Sequence, residues 1–205
     1  HFDHVARHGE AICTPQTAKL LAARGARSGD TLRTVEFNQP IALTPNAQLT
    51  LVPAGHVLGS AQALIVHPEF GRLLYTGDFK LRPSGTVENC ATPEADVLIM
   101  ETTFARPHYR FPPAAETMAA ATQFCRDTLS AGEIPVLLGY SLGRSQEILH
   151  GLAEAGLSIM LHPRVEAVTH AYEALGCKFP EYTSFAPLFA QGHVIIAPQQ
   201  ALKSE

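Results

Sequence analysis

The sequence contains no tryptophan and only four cysteines, Cys13, Cys90, Cys125 and Cys177, none paired as Cys-x-x-Cys. That spacing excludes a disulfide frame and a thiolate zinc site, and the thiols read as ordinary reduced side chains. Charged residues are scarce at 17%, and 15 Lys+Arg against 19 Asp+Glu leave a formal net charge of −4. This excludes a protein that holds nucleic acid by bulk positive charge, though not one with a local basic patch. No apolar run approaches the ~18 residues of a membrane helix and no basic-then-apolar leader pattern opens the chain, so the expected location is cytoplasmic. What is present is a 46% hydrophobic share in 205 residues, a globular composition with a substantial core. The chain starts at His1 without an initiator Met, and its first residues are dense in metal-ligand types. It reads as a piece of something longer.

The residue pattern divides the chain into a strand-rich part, 1–104, and a helix-strand alternating part, 105–205. In the first, Thr14-Pro15 places a cap and a first-turn proline before a helix over Gln16 to Arg24. Leu32 to Phe37, Ala47 to Pro53, Ala61 to His67 and Arg72 to Thr76 are rich in β-branched and aliphatic residues and predict strands. Asp96 to Met100 is a continuous apolar run that predicts a fully buried strand. In the second part, Met118, Ala120, Ala121, Phe124, Cys125, Thr128 and Leu129 recur at helical spacing, and Gly132 supplies a stop. A strand over Ile134 to Gly139, a helix over Leu142 to Ala155, a strand over Leu157 to Leu161 and a helix over Val165 to Leu175 follow, with a last strand over His193 to Ala197. This βαβα alternation implies a parallel sheet with crossover helices. The final eight residues predict no element.

Candidate chemistry falls at the ends of predicted strands. His1, Asp3 and His4 offer imidazole and carboxylate, the donors a borderline divalent metal takes where thiolates are absent. His56 follows an apolar strand and an Ala-Gly pair; Asp78 follows the strand Leu73-Leu-Tyr-Thr and Gly77. A carboxylate in that position costs free energy unless a cation or donors satisfy it. Each also has a plain reading alone: a polar stub, a satisfied histidine, a turn aspartate.

Taken together and in this order, HFDH, Gly-His and Thr-Gly-Asp resemble the metallo-β-lactamase superfamily, whose signature is HxHxDH, a later His and a later bridging Asp. Leu98-Ile-Met-Glu-Thr-Thr-Phe104 looks like the acidic motif that opens the inserted β-CASP domain of its nuclease branch. Arg106-Pro-His-Tyr-Arg-Phe-Pro-Pro113 and Gly139-Tyr-Ser-Leu-Gly-Arg-Ser-Gln-Glu-Ile-Leu149 are similar to the bacterial DNA ligase-associated exonucleases, relatives of Artemis and of the nuclease of mRNA 3′-end processing.

The resemblance implies an α/β fold: an incomplete metallo-β-lactamase αββα sandwich over 1–104 and a partial β-CASP domain over 105–205. It implies two divalent ions, zinc or manganese, one on His1, His56 and Asp78 and the other on Asp3, His4 and the same Asp78. It further implies a metal-dependent nuclease that hydrolyses phosphodiester bonds through a metal-activated water, as a DNA exonuclease linked to repair, with Asp3, Asp78 and Glu101 as catalytic residues. Glu101 would orient a histidine near the leaving group. Arg144, at the start of a predicted helix, is a candidate phosphate contact, and His162 a candidate lining of the substrate cleft. The expected partners are nucleic acid, DNA ahead of RNA, and a DNA ligase or helicase, with no membrane. The first His of HxHxDH and the leaving-group His fall outside this sequence, so the chain alone is expected to be inactive. An RNA-processing endonuclease, a small-molecule metallo-hydrolase and a non-catalytic scaffold are the alternatives.

Overall fold

Thr14 turns an extended segment into a helix, because its hydroxyl accepts the Thr17 amide at 3.1 Å and Pro15 already has the backbone angle of a first helical residue. The computed structural model, which describes residues 9–25 and 31–203, places that helix, α1 (Pro15–Ala23), between the parallel strands β1 (Glu10–Cys13) and β2 (Thr31–Thr34). The chain forms two units, His1–Ala105 and Arg106–Glu205.

The larger sheet of the first unit runs in sequence order: β3 (Ile41–Ala42), β4 (Gln48–Pro53), β5 (Ala61–His67), β6 (Gly71–Tyr75) and β7 (Val97–Ile99). Its pairs are antiparallel except β6 with β7, which is parallel. Alternation along β4 sends Leu49 and Leu51 into a core with Val35, against which Ile12, Phe37, Ala63 and Ile65 pack. The run Asp96 to Met100 departs from its expected burial: Val97, Leu98 and Ile99 are 49%, 55% and 48% exposed. Among the described residues β7 is an edge strand, hydrogen-bonded to β6 alone, and its apolar side chains alternate between two faces.

The second unit carries α2 (Ala114–Ser130), β8 (Val136–Gly139), α3 (Arg144–Gly151), β9 (Ile159–Leu161), α4 (Pro163–Glu173), β10 (Thr183–Ser184) and β11 (Val194–Pro198). Its four strands stand in the order β10-β9-β11-β8, all parallel. β11 is central and buried at every residue, as an apolar strand covered on both faces must be. Cys125, Leu149, Leu152, Leu161, Val165 and Ile196 are among the residues of its core. Helix α2 turns Met118, Cys125 and Leu129 inward, whereas Phe124, on the helical pattern by spacing, is 51% exposed. Helix α3 is shorter than the sequence predicts, and a 3-10 turn over Gln199–Lys203 occupies part of the tail where no element was expected. Among the described residues, no helix is long and apolar enough to cross a membrane.

Candidate functional site

β4 and β6 are each antiparallel to β5, so they run in the same direction and end at the same edge of the sheet. β4 leads through Ala54-Gly55 to His56, and β6 through Thr76-Gly77 to Asp78. Topology thus brings together two residues 22 positions apart: His56 Nε2 lies 3.8 Å from Asp78 Oδ2. β7 is parallel to β6, and Thr76 N–H donates to the Ile99 carbonyl at 3.0 Å, which puts Glu101 beyond the same edge. Glu101 Oε2 accepts the Thr103 amide at 2.9 Å, and the Glu101 charge reaches His56.

The loop that carries His56 is held from every side. Ser60 Oγ accepts the amides of His56 and Val57, each at 3.1 Å. Lys80 N–H donates to the Ala54 carbonyl at 2.9 Å, tying this loop to the one that follows Asp78. Gly55 has φ +70°, and a side chain there would collide with the Lys80 carbonyl. Gly59 donates to Glu88 Oε2 at 2.9 Å, while its carbonyl accepts the hydroxyls of Thr14 at 2.7 Å and Thr17 at 2.9 Å. Buried Gln62 donates to the carbonyls of Pro53 at 2.9 Å and Ala91 at 2.7 Å. Ser60, Gln62 and Glu88 fix the site without chemistry of their own, and no spacing in the sequence singles them out.

Burial is the largest influence on the His56 imidazole and lowers its pKa, against the opposing charge of Asp78 and in concert with Lys80. The neutral ring is the form that offers a lone pair to a cation. The two side chains remain 37% and 35% exposed, open to solute. A mixed imidazole-carboxylate pair fits a borderline divalent ion. It is part of a donor set: among the described residues, no group of three or more His, Cys, Asp or Glu is placed to hold a metal. His1, Asp3 and His4 lie outside the described residues. The thiols are poor candidates, because burial pushes those of Cys13, Cys90 and Cys125 up and away from the thiolate.

Within the second unit, β8 and β9 end at the same edge, on either side of β11. The loop after β8 leads to exposed Arg144 at the first position of α3. Gln146, fully buried, sets that loop: its Oε1 accepts the Gly143 amide at 2.8 Å, and its Nε2 donates to the Ser141 carbonyl at 3.2 Å and Thr169 Oγ1 at 3.0 Å. Ser145 Oγ donates to the Tyr140 carbonyl at 2.8 Å. His162 follows β9 and caps α4, with Nδ1 accepting the Arg164 amide at 3.2 Å. Burial, then the Arg164 charge, lowers its pKa. A cavity of about 590 Å3 in this unit opens at the opposite, amino-terminal end of the strands, beside Ser158 and His193, and gathers none of these residues.

The chain is 48% identical over all 205 of its residues to a protein named "Probable DNA ligase" from Opitutus terrae, of which it covers 20%. It is 31% identical over 153 residues to the 5′ exonuclease Apollo of Gallus gallus, with 74% of the chain and 33% of that protein matched. It is 29% identical over 161 residues to the transcription termination factor FttA of Pyrococcus horikoshii, with 74% of the chain and 24% of that protein matched. These matches agree with the resemblance to the β-CASP branch of the metallo-β-lactamase superfamily. No family model matches the chain. The chain spans between a fifth and a third of the length of these relatives.

Proposed function

We propose that this chain carries part of the site of a metal-dependent hydrolase of nucleic-acid phosphodiester bonds, DNA ahead of RNA. The observation that carries the reading is the convergence of His56 Nε2 and Asp78 Oδ2 to 3.8 Å at one sheet edge, toward which β7 also leads the chain to Glu101. In this reading His1, His56 and Asp78 would hold one divalent ion, and Asp3, His4 and Asp78 the other. Such ions, zinc or manganese, would supply Lewis acidity toward water and charge stabilisation at the phosphate oxygens.

The chain's own residues do the rest. His56 presents a neutral imidazole because burial lowers its pKa. Asp78, fixed by the strand that precedes it, supplies the shared carboxylate. Glu101 stands at the same edge to orient a general acid. Arg144, on a loop braced by Gln146, offers its guanidinium to a substrate phosphate. The domain reading is a partial metallo-β-lactamase domain over 1–104 and a partial β-CASP domain over 105–205. The relatives named as a DNA ligase and a 5′ exonuclease favour DNA and a role in repair. The resemblance to a transcription termination factor keeps RNA as the comparison arm.

The test is digestion of matched single-stranded DNA and RNA by the longer protein that contains this sequence, with metal content measured in parallel. Asp78→Ala is expected to lower stoichiometric zinc or manganese and to cut hydrolysis by more than ~100-fold, beyond what loss of an outer-shell partner costs. Hydrolysis that survives this substitution refutes the shared-ligand role, and a metal-free parent refutes the reading.

A further inference from the structure

Between the two units' regular elements lies a stretch that the chemistry above does not use. Arg106-Pro-His-Tyr-Arg-Phe-Pro-Pro113 opens the second unit and is exposed at every residue. Its backbone is shaped by turns: Tyr109 N–H donates to the Arg106 carbonyl at 3.0 Å and Arg110 N–H to that of His108 at 3.1 Å. Pro107, Pro112 and Pro113 restrict it further, so little freedom is left to lose on binding.

The rings form a series. His108 and Tyr109 have centroids 4.2 Å apart, and Tyr109 and Phe111 lie 6.3 Å apart and within 10° of parallel. Tyr109 is 42% and Phe111 67% exposed. Consecutive large rings held in water are costly to a folded chain and mark surfaces that meet a partner. Charge says which partner. Arg106 precedes the rings and Arg110 stands between Tyr109 and Phe111, and no carboxylate occurs between Glu101 and Glu116, in a chain whose net charge is −4. Alternating aromatic faces and guanidinium groups match the alternating bases and phosphates of an unpaired strand. A duplex offers its phosphates but not its base faces.

We propose that the strap Arg106–Phe111 is a platform for single-stranded nucleic acid, on which Tyr109 and Phe111 stack successive bases while Arg106 and Arg110 contact the flanking phosphates. The inference rests on the reading of this chain as nucleic-acid-directed and adds the form of the strand it takes.

No tryptophan competes within this sequence. Phe111→Trp, introduced in the longer protein that contains this sequence, places an indole on the strap at an exposed position, and its signal is read as the difference from the unsubstituted protein. In chelator, so that nothing is hydrolysed, this variant is titrated with oligo(dT), oligo(U), an abasic oligomer of equal length and a duplex. Binding is followed by anisotropy of a label on each ligand. The expected result is quenching of the indole by oligo(dT), oligo(U) or both, and none by the abasic strand or the duplex. The doubly substituted Tyr109→Ala/Phe111→Ala chain binds the responding oligomer at least about tenfold more weakly, the scale of one or two lost base stacks. Phe124→Ala, which removes an exposed ring from α2, changes nothing. No binding by anisotropy, binding without quenching, equal quenching by the duplex, or an unchanged affinity of the double variant overturns the proposal. Hydrolysis and its loss in Asp78→Ala are scored separately, so either reading can fail alone.

Discussion

At the scale of single residues, the candidate site depends on atoms that do no chemistry. Gly55 is required twice over, by its φ of +70° and by the Lys80 carbonyl against which a side chain would press. Gly55→Ala is expected to destabilise the first unit by about 2 kcal/mol or more, read as a lower urea midpoint, and to disturb His56 in its NMR spectrum. His162 has a stability consequence with a definite sign. Its folded pKa lies below the ordinary 6.5 because burial and Arg164 disfavour the cation. Between the folded and unfolded values the unfolded chain therefore binds more protons, and stability rises with pH. The contribution is complete above pH 6.5 and is lost as pH falls through 6.5 toward the folded value. The melting temperature of the chain should drop on acidification across that window. His162→Asn, which keeps a capping acceptor and removes the titration, should flatten part of the slope. A slope unchanged by the substitution would remove His162 from the account.

Elements are where the pattern in the sequence and the folded outcome part company. Ala61–His67 was legible to the residue, because a run of aliphatic and β-branched residues was bounded by turn-forming residues on both sides. Asp96 to Met100 misled in burial, since an apolar run reports that side chains prefer company and not which neighbours the sheet supplies. As the edge strand, β7 offers Val97, Leu98 and Ile99 and one row of backbone groups to whatever approaches. Leu98→Lys is expected to reduce concentration-dependent association of the isolated chain, measured by light scattering, at little cost in stability. In the second unit, the segment after β8 is shaped by a side chain that composition leaves anonymous. Gln146→Ala would leave the Gly143 amide without its acceptor and Thr169 without its donor in a buried setting. A loss of about 2–3 kcal/mol is expected, together with faster hydrogen exchange at the start of α3.

For the whole molecule, a net charge of −4 means that any hold on nucleic acid comes from local arrangement rather than from the overall field. That has a measurable form. If Arg106 and Arg110 each neutralise one phosphate of a single strand, replacing both with Ala should make the slope of log affinity against log salt shallower by about 1.4. A slope insensitive to both would place the electrostatic contacts elsewhere. The sequence by itself determined the strand-rich and alternating character of the two parts, most helix and strand positions, and the residue types available for chemistry. These are local consequences of periodicity, capping and turn residues. Only the tertiary structure decided that His56 and Asp78 meet, because two strands antiparallel to the same neighbour must end at the same edge. It also decided that β7 is exposed and that Gln146 braces the loop before α3, since neighbours distant in sequence are assigned by sheet order and packing and by nothing written along the chain.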